Sequence, residues 1–140
     1  MAAQQDVAET TASTEDLEAI RHTALDYTEG WYEGSAERIE KALHFHLAKR
    51  SVVHDADQDM DVLRPMSGLE LAVGAREGGG REIPTERQQK DVTVLDVFGN
   101  VASVKVVASG WIDYIHMAKM NGRWVIVNVL WAWKPGHEPE

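Results

Sequence analysis

The 140-residue sequence predicts an α+β domain in which three N-terminal helices pack on a strongly curved antiparallel sheet. Three observations carry that expectation. An apolar stripe of helical period runs through Leu17, Ile20, Ala24, Tyr27 and Trp31. From Asp91 to Trp133 the chain is rich in β-branched and aromatic residues that alternate with a period of two. Within that run Asn121-Gly122 marks a hairpin, because both residues tolerate the positive φ of a type I′ turn. Helices segregated to one side of an antiparallel sheet bury the apolar faces of both layers.

Residues 1–13 (MAAQQDVAETTAS) read as a polar, disordered lead-in, with neither the basic nor the apolar region of a signal peptide. Residues 14–134 form one domain, and 135–140 a polar tail. The first helix starts at Ser13 or Thr14, with Glu15 and Asp16 placed to favour the helix dipole, and stops near Gly34. Ser35 caps a second helix on which Ile39, Ala42, Leu43 and His46 share a face. Leu47 to Val53 turns towards a short strand, and His54 to Asp61 (HDADQDMD) is a polar loop or hairpin tip. Ser67-Gly-Leu-Glu70 is a capping box opening a third helix to about Arg76. Glu77-Gly-Gly-Gly-Arg81 ends it as a helix cap and flexible linker, and residues 82–90 are charged and exposed.

The two C-terminal turns set registers. Gly99-Asn100 pairs Phe98 with Val101, Val97 with Ala102, Asp96 with Ser103 and Leu95 with Val104. A reversal near Ser109-Gly110 then brings Val104 and Val106 to the face of Ile115 and Asp113. From Asn121-Gly122, Met120 lies opposite Arg123, Lys119 opposite Trp124, Met117 opposite Ile126, Ile115 opposite Asn128 and Asp113 opposite Leu130. Residues directly opposite share a face. One face therefore holds Trp111, Asp113, Ile115, Met117, Trp124, Ile126, Asn128 and Leu130. The other holds Ile112, Tyr114, His116, Ala118, Val125, Val127, Val129 and Trp131. The helices cover the first. The second is too apolar for water, which predicts a homodimer through the outer sheet face.

A formal charge of −9 and the lack of a Lys/Arg cluster argue against nucleic-acid binding. The absence of cysteine excludes disulfide and thiolate chemistry. No apolar run approaches the roughly 18 residues of a membrane helix. The expected location is cytoplasmic.

Asp113 is the sharpest candidate for chemistry. A carboxylate in an apolar cavity has its charged form disfavoured, so it can act as acid or base near neutral pH. The alternative is a structural hydrogen bond to Asn128 or to a helix-one tyrosine, and Asn128 shares that fork as a ligand-orienting amide. His46, on the apolar side of helix two, is the candidate second base. Tyr27, Trp31, Trp111 and Trp124 offer aromatic surface for a flat ligand, with Met117 on the same face. An EF-hand loop from Asp55 would want Gly and Glu where the chain has Met60 and Met66, so calcium is rejected. His44, His46, His54 and Asp55 lack metal-ligand spacing, and neither metal nor cofactor is expected.

The stretches YTEGWYEGSAERIEKALH, HLAKR and NGRWVIVNVLWAWKP resemble the nuclear transport factor 2-like superfamily over about residues 15–134. Within it the resemblance is to the branch called "putative lumazine-binding", neighbour to the SnoaL-like proteins. The resemblance implies a cone-shaped α+β barrel, helices closing a curved sheet around a pocket, often in homodimers. In many relatives an acid stands where this chain has His46. Three functional readings follow: a domain binding a small hydrophobic or aromatic ligand; a cofactor-independent isomerase, cyclase or dehydratase using Asp113 with His46; or a protein-interaction module. Fold alone does not choose among them.

Overall fold

A computed structural model describes residues 12–139. Most of the expected lead-in thus lies outside the described residues; Ala12 packs on the core and Ser13 caps the first helix. Helix α1 (Thr14–Glu33) begins where Ser13 Oγ accepts from the Asp16 N–H at 3.0 Å and ends at Gly34, in the left-handed region. Its stripe buries Ile20, Ala24 and Tyr27 completely or nearly so. Ser35 caps α2 (Ala36–Ala42), and α3 (Gly68–Arg76) carries the reciprocal Ser67/Glu70 capping box.

Six strands follow or intervene: β1 (Leu43–Asp55), β2 (Met60–Met66), β3 (Lys90–Phe98), β4 (Val101–Ala108), β5 (Trp111–Met120) and β6 (Arg123–Trp133). They form one sheet in the order β2-β1-β6-β5-β4-β3. The sheet is mixed rather than purely antiparallel, because β1 runs parallel to β6 while every other pair is antiparallel. It is curled but not closed into a barrel, since β2 and β3 remain as edges. The core lies between this sheet and the helices. It joins Ile20, Ile39, Leu71, Val104, Val106, Ile115, Met117, Trp124, Ile126 and Val129.

Four local expectations are corrected. The second helix stops at Ala42, four residues before His46, because Leu43 already pairs with Ile126 in the parallel ladder. Tertiary pairing overrides helical periodicity there. The ladder is then irregular from Leu43 to Ala48, and Phe45 and His46 are left exposed in that bulge. On β3, the pairing is Val94 with Val104 rather than Leu95, so a bulge turns Leu95 outward at 52% exposure.

The correction with most consequence is on β6. Pairing from the Asn121-Gly122 turn holds through Met117 with Ile126, then slips by one residue. Beyond the bulge, His116 faces Asn128, Ile115 faces Val129 and Asp113 faces Trp131. A one-residue slip exchanges the faces of every later side chain. Val129 and Trp131 thereby turn inward, while Asn128 and Leu130 turn out.

The glycine run after α3 is a packing surface rather than a flexible linker. A Cβ on Gly79 would lie 2.9 Å from the Trp31 ring, and one on Gly80 only 2.2 Å from the Trp31 carbonyl oxygen. Gly79 and Gly80 are glycine because the chain passes against Trp31 with no space for a side chain, and Gly78 because its φ is +92°.

Candidate functional site

Between α1, α3 and the inner face of the sheet lies a cavity of about 160 Å³, lined by Tyr27, Thr28, Trp31, Ile39, Lys49, Met66, Leu71, Trp111, Asp113, Trp131 and Trp133. Three of these tryptophans, Trp31, Trp111 and Trp133, also line an open groove with Ile83, Gln88 and His137. They form the mouth. Trp133 meets Trp111 edge-on at 6.1 Å and Trp131 at 5.0 Å, so the aromatic walls brace one another.

Asp113 stands near the start of β5 on the inner face, between Val106 and Trp131, and is 1% exposed. Trp111 Nε1–H donates to its Oδ2 at 3.0 Å. Its Oδ1, and the Thr28 hydroxyl in the same cavity, are buried without a hydrogen-bond partner. Unpaired buried polar atoms are costly, and at a concave site they mark where a ligand or water would bond. Burial raises the Asp113 pKa above the usual carboxylate range, opposed by the charge of Lys49 and by the Trp111 bond.

Lys49 is the residue that sequence reasoning missed. It is 6% exposed, projects inward from β1 and donates from Nζ to the Tyr27 phenol oxygen. Its Nζ lies 5.1 Å from the Tyr27 ring centre and 5.3 Å from that of Trp131, within cation–π range. Burial pushes its pKa down, with Asp113 opposing, and burial raises that of Tyr27 well above its ordinary value. Burial thus biases the amine, the carboxyl and the phenol alike towards their uncharged forms. A strand lysine flanked by Ala48 and Arg50 reads as a solvent-facing charge. The one available signal was the inward alternation of Leu47, Lys49 and Ser51.

Of the expected site residues, Asp113, Tyr27, Trp31 and Trp111 meet in this cavity. The other four do not line it. His46 lies exposed in the β1 bulge, stacked 5.5 Å from His44, because the helix meant to carry it inward ends earlier. Asn128 is on the outer face, where its Oδ1 accepts from Arg50 and its Nδ2 lies 3.2 Å from His116 Nδ1. The β6 bulge is the reason: Val129 stands opposite Ile115 where Asn128 was expected, and Trp131 opposite Asp113 where Leu130 was. Trp124 belongs to the core, its indole N–H donating to Asp16 at 3.0 Å, and Met117 is buried beside it at 1% exposure. Among the described residues no three His, Cys, Asp or Glu side chains converge as a metal-holding group, and no helix is long and apolar enough to cross a membrane.

A family model described as "Putative lumazine-binding" matches residues 15–132. No curated protein matches the chain. Solved structures do. An NTF2-like protein of unknown function from Silicibacter pomeroyi superposes with a TM-score of 0.69 at 14% identity, over 88% of this chain and 99% of that one. One from Methylobacillus flagellatus gives 0.66 at 20% identity, over 88% and 95%. One from Shewanella baltica gives 0.64 at 17%, over 89% and 98%. At these identities the likeness establishes the NTF2-like fold, as the resemblance of the sequence implied.

Proposed function

Because this chain belongs to the family described as "Putative lumazine-binding", we propose that it is a small-molecule-binding domain whose cavity holds a flat, largely apolar ring. The observation that carries this reading is a tryptophan-walled cavity containing two unpartnered buried oxygens, Asp113 Oδ1 and Thr28 Oγ1. A planar heterocycle with a ring N–H and a ring carbonyl fits that polarity. The N–H donates to Asp113, the carbonyl accepts from Lys49, and the ring faces lie against Trp131 and Trp31. A cavity of about 150 Å³ accommodates benzene, so at about 160 Å³ one ring sits inside and any second ring extends towards Trp133. The reading includes a homodimer through the outer sheet face, where Val52, Leu63, Tyr114 and Leu130 are exposed.

Thermal shift and tryptophan quenching with a panel of planar heterocycles test the proposal. Trp131→Ala is expected to weaken binding by about 1–3 kcal/mol, the usual loss of an aromatic stacking partner. Asn128→Ala and His46→Ala leave affinity unchanged, since neither side chain lines the cavity. If no compound stabilises the protein, or if Asn128→Ala weakens binding as much as Trp131→Ala, the reading is wrong. Native mass spectrometry tests the dimer.

A second reading draws on the protonation bias of the site. Asp113, raised by burial, can move a proton in a cofactor-independent isomerase, cyclase or dehydratase. In that reading Tyr27 and Lys49, not His46, are the neighbouring proton carriers. Turnover lost in Asp113→Asn with ligand affinity retained would select it.

A further inference from the structure

We propose that Lys49 is a nucleophilic amine that captures the carbonyl carbon of a flat aromatic aldehyde or ketone as an imine. The proposal rests on the cavity being a ligand site, and adds covalent chemistry and a substrate class to it. Its ground is the placement of the amine. Lys41, Lys90 and Lys119 are partly exposed and each lies within 4.0 Å of a carboxylate, Lys134 donates to Gln89, and Lys105 lies over Tyr114. Lys49 alone among the described lysines is buried in an apolar cavity, with a phenol rather than a carboxylate on its nitrogen. Asp113 faces the same cavity, but the two groups form no direct ion pair.

The chemistry closes on groups already in the cavity. The uncharged Lys49 Nζ attacks the carbonyl carbon, and the C=O π pair moves to oxygen as the C–N bond forms. One Nζ proton passes to that oxygen, with the Tyr27 hydroxyl as carrier, to give a carbinolamine. Asp113 in its acid form protonates the hydroxyl, the C–O bond breaks and water leaves. The second Nζ proton returns to the Asp113 carboxylate as the C=N bond forms. Carbonyl plus amine gives imine plus water, with no oxidant or reductant. An amine whose ammonium form is disfavoured by desolvation is the form of lysine suited to this attack. The tryptophan walls supply the flat contact that would hold an aromatic carbonyl compound against it.

Benzaldehyde with sodium cyanoborohydride at neutral pH is the test, read by intact mass and peptide mapping, with benzyl alcohol as a non-carbonyl probe of the same shape followed by tryptophan fluorescence. The expected result is one benzyl adduct, on Lys49. Its yield should exceed that at any surface lysine, because a lowered ammonium pKa leaves more neutral amine. Saturating benzyl alcohol should suppress it. Lys49→Arg should lose the adduct; should that variant not fold, the wild-type peptide map decides alone. If benzyl alcohol binds and label falls only on surface lysines, the imine is refuted while the binding site survives. If benzyl alcohol does not bind and Lys49 is unlabelled, both readings fall.

Discussion

Replacing Asp113 by Asn should change the pH dependence of stability more than its value at any one pH. The wild-type carboxyl is almost fully buried, with one oxygen bonded to the Trp111 indole and the other bonded to nothing. Burial raises its folded pKa above the ordinary 3.8. Between 3.8 and the folded value the unfolded chain has released this proton and the native protein has not. The native state binds more protons there, so stability falls as pH rises, with a limiting slope of about 1.4 kcal/mol per pH unit. Asparagine keeps an oxygen to accept from Trp111 and has no proton to lose. The difference between variant and wild type should therefore move in the variant's favour by up to about 1.4 kcal/mol for each unit between about pH 4 and the folded pKa, then level off. Urea unfolding of both proteins from about pH 4 to about pH 7, analysed by linear extrapolation, measures it. Lys49, whose pKa is lowered, acts with the opposite sign, stability rising with pH from its folded value up to 10.5, and is present in both proteins. Two parallel curves would refute the reasoning, because they would mean that Asp113 ionises normally in the folded protein.

Two further outcomes are expected. Asp16→Ala should cost about 1–3 kcal/mol in urea unfolding, because the Trp124 indole N–H, in a residue 4% exposed, loses its acceptor. The Trp124 bond, helped by Lys119, holds the Asp16 pKa below 3.8, so the ionic part of this contribution is present above that pH, and the gap between variant and wild type should narrow as pH falls below it. Gly80→Ala should destabilise by about 1–3 kcal/mol, since the new methyl must displace the Trp31 backbone. Because Trp31 lines the cavity, the variant should also show altered tryptophan emission and weaker ligand binding.

The features legible in the sequence were those encoded by neighbouring residues. Ser13, Ser35 and Ser67 cap their helices as expected, and Asn121 and Gly122 adopt the positive φ values that their turn requires. Asp113 was placed correctly because the irregularity in the last hairpin lies on β6, leaving the alternation of β5 intact. Features set across the fold were not legible. Helix α2 yields to strand at Leu43 because Ile126, far along the chain, offers a ladder partner. Lys49 is buried by Tyr27 and Trp131, neither of which is its sequence neighbour. Trp131 could be assigned to the cavity only once the β6 bulge was known, and nothing in RWVIVNVLWAW announces where that extra residue lies.

The bulge gives β6 a parity. Upstream of it, even-numbered residues such as Trp124 and Ile126 point inward; downstream, odd-numbered ones such as Val129 and Trp131 do. A ladder that ran on from Ile126 without the bulge would bring Asn128 and Leu130 into phase with Ile126 while leaving the composition of the strand unchanged. A cavity walled by indole would become one presenting an amide. For this fold, gain or loss of a bulge within a strand is therefore a route to new ligand chemistry, and relatives aligned without allowance for it would have their cavity residues matched to the wrong side of the sheet.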